Sequence, residues 1–213
     1  MIGRDIAGAA AAHRRLEAGL AGLTDAGARQ ASLLPGWSVG HVLTHLARNA
    51  DSHVRMIGGA EAGEALEQYV GGVAGRAAEI DEGAGRSADQ LVDDVRRSNA
   101  ALEAAWSAAS DRAWAGEGIG TIAGPVPIAD LPFRRWREVE VHHVDLGLAA
   151  TPAGWPADYV RLETVRQTMT WTSRRPMGLT DLPAEALALS PNDRLAWLLG
   201  RLEVPGLAPA GIF

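Results

Sequence analysis

Glu138 and His142 stand four residues apart in the stretch 131–147, LPFRRWREVEVHHVDLG, and on a helix that spacing puts a carboxylate and an imidazole one above the other. Such a pair can grip one divalent ion. Asp130 is placed to cap the amide end of a helix beginning at Leu131. Pro132 is tolerated in the first turn and Gly147 can close the helix after about four turns. Phe133, Trp136, Val139, His143 and Leu146 form an apolar stripe beside Glu138, so the carboxylate sits at the edge of a buried face and needs a partner there. The plainer alternative is a hydrogen-bonded Glu/His pair without metal, which the spacing equally allows. Two ligands hold a metal weakly, so a third has to come from another segment.

The segment that can supply it starts at Ser38, the cap of a helix whose apolar face is Val39, Val42, Leu43, Leu46, Ala50, Val54 and Ile57 and whose end is expected at Gly58-Gly59. At about 100° per residue, His41, His45, Arg48 and Ser52 share a narrow polar stripe, and His53 falls near the apolar edge. The third ligand is therefore His41 or His45. His45 is preferred because it lies one turn deeper, with His41 left as a group behind the ligands; two surface histidines are the alternative. His13 lies in the apolar stripe of the first helix and reads as a packed, hydrogen-bonded core residue.

Composition narrows the chemistry further. The 213 residues contain no cysteine, and all 20 basic residues are arginine. Disulfides, thiolate metal sites, cysteine nucleophiles, Schiff bases and a phosphate-loop lysine are therefore excluded. A metal must be held by His, Asp and Glu, and any thiol must arrive as a small molecule. A net charge of -6 with scattered arginines argues against nucleic acid. No apolar run reaches the roughly 18 residues of a membrane span, and Asp5 and Arg14-Arg15 interrupt the order of a signal peptide, so a cytoplasmic location is expected.

The elements that must position these side chains are mostly helical. Residues 2 to 23 carry a helical apolar period, and 24 to 36 read as a loop. A short helix interrupted by Gly71-Gly72 is expected between Tyr69 and Ile80. A cleaner one starts at the Ser87/Gln90 capping box and buries Leu91, Val92, Val95, Leu102 and Trp106. Residues 114 to 127 read as loop or short strand. Three long amphipathic helices plus the Glu138/His142 helix make a four-helix bundle of residues 1–148. The run AATPAGWP reads as a linker to a small domain of residues 156–213. There a helix over 158–174 should turn Val160, Val165, Met169 and Trp171/Thr172 inward, Ala186 to Leu189 could form a strand, and a helix over 191–201 should bury Leu195, Leu198 and Leu199.

Three stretches, LPGWSVGHVLTHLARNAD (34–51), RWREVEVHHVDLG (135–147) and RLAWLLGR (194–201), together resemble the mycothiol-dependent maleylpyruvate isomerase family, a branch of the DinB-like metal-binding bundles. The resemblance covers nearly the whole chain and implies a mainly α protein: a DinB-like four-helix bundle followed by a small C-terminal α/β domain. It implies a divalent metal, usually zinc, on His45, Glu138 and His142, the residues that spacing also selects. It further implies mycothiol as thiol cosubstrate and a C-terminal arginine whose nearest match is Arg201. The implied activity is thiol addition to the cis double bond of maleylpyruvate, rotation, and thiol loss to give fumarylpyruvate. Arg201, or Arg48 one turn after His45, would clamp a substrate carboxylate; Arg201 could instead be a helix C-terminal cation. Two rival readings use the same site: a mycothiol S-transferase acting on another electrophile, and a metal-binding or thiol-sensing bundle without turnover. The chain departs from the family at Glu140 and His143, and its C-terminal part is shorter than usual.

Overall fold

The computed structural model describes residues 1–122, 124–174 and 180–211. The chain divides into two compact units, Met1–Ala149 and Ala150–Phe213. The first contains α1 (Ile2–Gly19), a short α2 (Asp25–Arg29), α3 (Val39–Ala62), α4 (Gly72–Gly83), α5 (Ala88–Ala108) and a short α6 (Asp111–Trp114). An antiparallel hairpin of β1 (Glu117–Gly120) and β2 (Gly124–Pro127) then leads to α7 (Leu131–Asp145). Helix α3 packs on α5 and α7, and α1 packs on α7 and α5, closing the expected four-helix bundle. Leu16, Leu43, Leu46, Leu91, Leu102 and Val139, drawn from all four helices, are fully buried in its core. No helix among the described residues is long and apolar enough to cross a membrane.

A buried cation ties the four helices together. Arg135 on α7 is 0% exposed. Its Nε donates to His13 Nε2 on α1 at 3.0 Å, Nη1 to Leu46 O and Asn49 Oδ1 on α3, and Nη2 to Asn99 Oδ1 on α5. A guanidinium can only donate, so Nε2 of His13 must be an acceptor and the imidazole proton must sit on Nδ1, where Glu103 Oε1 accepts it at 2.7 Å. His13 is thus a core residue fixed in one neutral tautomer, stacked on Trp106.

Several boundaries differ from the sequence reading, each for a local reason. Helix α1 ends at Gly19, and Thr24 caps the short α2 inside the expected loop. Helix α3 runs through Gly58-Gly59 to Ala62 and is ended by Gly63, whose φ of +81° lies in the left-handed region. Gly59 serves a close approach: a Cβ there would meet Leu66 at 2.6 Å and the Glu64 carbonyl at 2.9 Å. Asp130 does not cap α7 with its side chain, because a 3-10 turn over Ile128–Asp130 runs straight into the helix and holds Asp130 in helical conformation. The Ser38 and Ser87 caps form as expected, each in a capping box.

The second unit contains α8 (Ala157–Ser173), α9 (Ala184–Leu187) and α10 (Pro191–Leu198). Its core is Trp171, Ala186, Trp197, Leu198 and Ala210. The expected linker is held in this unit, since Asn192 donates to the carbonyls of Pro152 and Trp155. Two expectations are corrected. Val165 and Met169 are 58% and 66% exposed, because α8 is phased by Tyr159, Glu163, Gln167 and Trp171 at four-residue spacing, with Gln167 donating to Glu163. The strand expected at Ala186 to Leu189 is instead the end of α9 and its cap. The strand content of this unit reduces, among the described residues, to one bridge between Val204 and Leu207, so the molecule is mainly α.

Candidate metal centre

Helix α3 presents His45 and helix α7 presents Glu138 and His142 to one point. His45 Nε2 lies 3.0 Å and His142 Nε2 3.4 Å from the same oxygen, Glu138 Oε2. One donor atom from each of the three lies within 4.8 Å of the others. The two imidazoles meet edge to face, their centroids 4.7 Å apart, and Trp37 closes over His45 at 5.7 Å. His45 is buried, and Glu138 and His142 are half-buried.

The groups behind the triad fix how each member presents itself. His142 Nδ1 lies 2.8 Å from Asp145 Oδ2, an arrangement in which the carboxylate accepts the Nδ1 proton and holds Nε2 turned toward Glu138. Arg76 Nη2 lies 3.1 Å from His45 Nδ1 and can only donate to it. His45 therefore carries its proton on Nε2 and donates it to Glu138 Oε2 at 3.0 Å.

Electrostatics follow from these contacts. Burial pushes the His45 imidazole down to about 4, against the opposing hydrogen bond to Glu138. Burial would raise Glu138, but hydrogen bonds from His142 and His45 overcome it and hold the carboxyl well below the usual range. His142 is raised: burial opposes the charge, and the hydrogen bonds to Asp145 and Glu138 outweigh it. The outcome is an ionised carboxylate between two imidazoles with a second carboxylate behind, a donor set that suits a divalent ion such as zinc. Among the described residues Glu138 has no arginine partner that would neutralise it.

The other sequence candidates are placed elsewhere. His41 belongs to the capping box of α3: the Ser38 amide donates to its Nδ1 at 3.2 Å, and its Nε2 lies 3.8 Å from Asp81. Arg48 directs Nη2 to Asp94 and Asp51, each at 2.9 Å, so its guanidinium is engaged by structural carboxylates. Arg201 lies in the second unit, where its Nη1 donates to Leu199 O at 2.7 Å, the helix-end contact weighed as its alternative. Glu140 is held by Arg15 and by Trp136 Nε1, and His143 lies against Gly19, so both face α1.

Asp145 and Arg76 were not found by sequence reasoning. Asp145 carries a readable signal, its i,i+3 spacing from His142. Arg76 carries none, because α4 is brought to the site by packing between distant segments. Asp145→Asn is expected to weaken divalent-metal affinity about 10- to 100-fold, since a neutral amide no longer fixes the His142 tautomer or raises its basicity. Competition against a chromophoric chelator measures this, and an unchanged affinity would remove Asp145 from the site.

The sequence profile described as "Mycothiol maleylpyruvate isomerase N-terminal domain" matches residues 9–147, which hold the whole triad. Among curated proteins none matches the chain in sequence. Two solved structures are similar to it: the crystal structure of the mycothiol-dependent maleylpyruvate isomerase, and that of a variant of it with one histidine replaced by alanine. Each is 26% identical, with a TM-score of 0.82 over 94% of this chain and 90% of the other. A bundle that brings two imidazoles and a carboxylate to one point, matched in profile over that bundle and in fold over nearly its full length, belongs to the mycothiol maleylpyruvate isomerase family.

Proposed function

We propose that this chain isomerises maleylpyruvate to fumarylpyruvate, with mycothiol as the thiol and a divalent metal, zinc by the chemistry of its donors, held by His45, Glu138 and His142. The observation that carries the reading is the convergence of these three donors in a protein of this family. Held by these three residues, a divalent ion would supply a positive charge that lowers the pKa of a thiol and offsets developing negative charge. The chain has no cysteine, so the thiol comes from outside. What a thiol supplies is reversible addition to the cis double bond, which leaves a single bond free to rotate before elimination returns the thiol unchanged.

The chain's own residues prepare the site for this. Asp145 accepts the His142 Nδ1 proton and so turns Nε2 toward Glu138, and burial keeps the His45 imidazole uncharged. Glu138 contributes the one negative charge among the ligands. Trp37 covers His45 and limits water on that side. Arg201 is proposed as a clamp for a substrate carboxylate on its match to the family's arginine. On this assignment Arg201→Ala lowers kcat/KM and leaves metal content unchanged; full activity in the variant would remove the role.

The test is a thiol balance during turnover of maleylpyruvate. An isomerase returns every thiol, so free mycothiol should stay constant while product accumulates. Loss of one thiol per product would show an S-transferase, and no product with metal bound would show a binding protein.

A further inference from the structure

Two rungs join α3 to α7. In the first, His45 Nε2 meets Glu138 Oε2 at 3.0 Å. In the second, Arg135 Nη1 donates to Asn49 Oδ1 at 2.9 Å and to the Leu46 carbonyl at 2.8 Å. Asn49 stands four residues after His45 and Arg135 three before Glu138, so the two helices run antiparallel and the second rung lies one helical turn from the first. Arg135 cannot itself be a metal ligand, because a guanidinium has no lone pair to offer.

The second rung is built to hold a single register. Arg135, Asn49 and Asn99 are all buried. The four acceptors of the guanidinium are His13 Nε2 on α1, Leu46 O and Asn49 Oδ1 on α3, and Asn99 Oδ1 on α5. Apolar ridges repeat every three or four residues and fit the facing grooves at more than one offset. A buried cation stripped of its acceptors is strongly disfavoured, which closes off a slip of one helix past the other by a turn. Such a slip would matter here. Helix α3 carries His41 one turn before His45 and Asn49 one turn after, so a slide of about 5.4 Å would set one of these against Glu138 in place of His45.

We propose that Arg135 and Asn49 are positioning residues of the metal centre: their hydrogen bond sets the register of α3 on α7 that places His45, and not His41, against Glu138 and His142. The proposal rests on the reading above that these three residues hold a divalent ion, and it is independent of the reaction the ion serves.

The test compares two variants that each take one acceptor from the same guanidinium. Asn49→Ala removes the side-chain bond from Arg135 to α3, a helix that supplies a ligand. Asn99→Ala removes the bond to α5, which supplies none of the three, and also breaks the Asn99 contact to Glu17. Both variants keep the Arg135 charge, and both should unfold at lower urea concentration than wild type. Zinc affinity, read by competition against a chromophoric chelator, should separate them. It should be about 10-fold weaker or worse in Asn49→Ala and within about two-fold of wild type in Asn99→Ala. Loaded with cobalt, Asn49→Ala should show an altered visible absorption spectrum, and Asn99→Ala should match wild type. Asn49→Ser is a milder change that leaves a shorter oxygen in place, and it should lose zinc affinity in the same direction. Equal zinc affinity in wild type and the Asn49 variants overturns the proposal. So does an equal loss in Asn49→Ala and Asn99→Ala, which would mean that Arg135 only stabilises the bundle. A wild type that binds no zinc sinks the metal reading and this proposal with it. A loss specific to Asn49 in a protein that isomerises nothing would leave this proposal standing and sink the proposed activity alone.

Discussion

Glu138→Ala is expected to lose the bound divalent ion and, with it, all thiol-dependent isomerisation above background. The carboxylate is the only anionic member of the triad, and its Oε2 is the atom that both imidazoles face, at 3.0 and 3.4 Å. Its removal leaves two neutral nitrogens, which do not hold a catalytic ion. The loss should therefore exceed the roughly 10- to 100-fold expected for an outer partner such as Asp145. His45→Ala should do the same, whereas His41→Ala should keep its metal and lose only some stability of the α3 cap. Elemental analysis of purified variants decides the matter: one ion per chain in Glu138→Ala would remove that residue from the coordination sphere.

The second large effect is on stability in acid. Burial, reinforced by the Arg135 charge and more weakly by Arg14 and His53, pushes His13 down to about 2; burial and the same arginine push His53 down to about 3. An unfolded histidine titrates near 6.5. The unfolded chain therefore binds protons that the folded chain refuses. The contribution of these residues is fully present above pH 6.5 and is lost as pH falls below it toward the folded values. Each should cost about 1.4 kcal/mol per pH unit in that window, which over two units is a large part of a stability of roughly 5–15 kcal/mol. At His13 Arg135 adds to burial by direct contact: its Nε–H occupies the nitrogen that a second proton would need. Urea unfolding of chelator-treated protein between pH 6 and 4 measures the slope. His13→Gln can still accept from Arg135 and donate to Glu103, yet cannot titrate, so its slope should be shallower than wild type by about 1.4 kcal/mol per pH unit. Equal slopes would mean that His13 is not the neutral acceptor described here.

Those two sites show what the sequence could reveal and what it could not. That Glu138, His142 and His45 come to one point was legible because helical spacing is local: it sets which side chains share a face before any packing is known. The Ser38 cap and the Ser87/Gln90 capping box were legible for the same reason, each lying within four residues. The choice between His41 and His45 is also explained locally, since Ser38 takes the His41 ring into its cap. The end of α3 was misread because glycine has two uses, and at Gly59 it serves contact with Leu66 while Gly63 makes the turn. The phase of α8 was misread because Val165 and Met169 look inward by composition, while Tyr159 and Trp171 decide which face is buried. Arg135 and Arg76 were opaque for a deeper reason. In an arginine-rich chain nothing local distinguishes a cation that joins four helices, or one that stands behind a ligand, from one in solvent. Those roles exist only once distant segments meet.

The measurement that tests the account most directly is product analysis by chromatography after incubating the zinc-loaded protein with maleylpyruvate, with and without mycothiol. Fumarylpyruvate should form only when the thiol is present, and not at all with Glu138→Ala. Formation at the full rate in thiol-free buffer, or at the wild-type rate by the Glu138 variant, would contradict it.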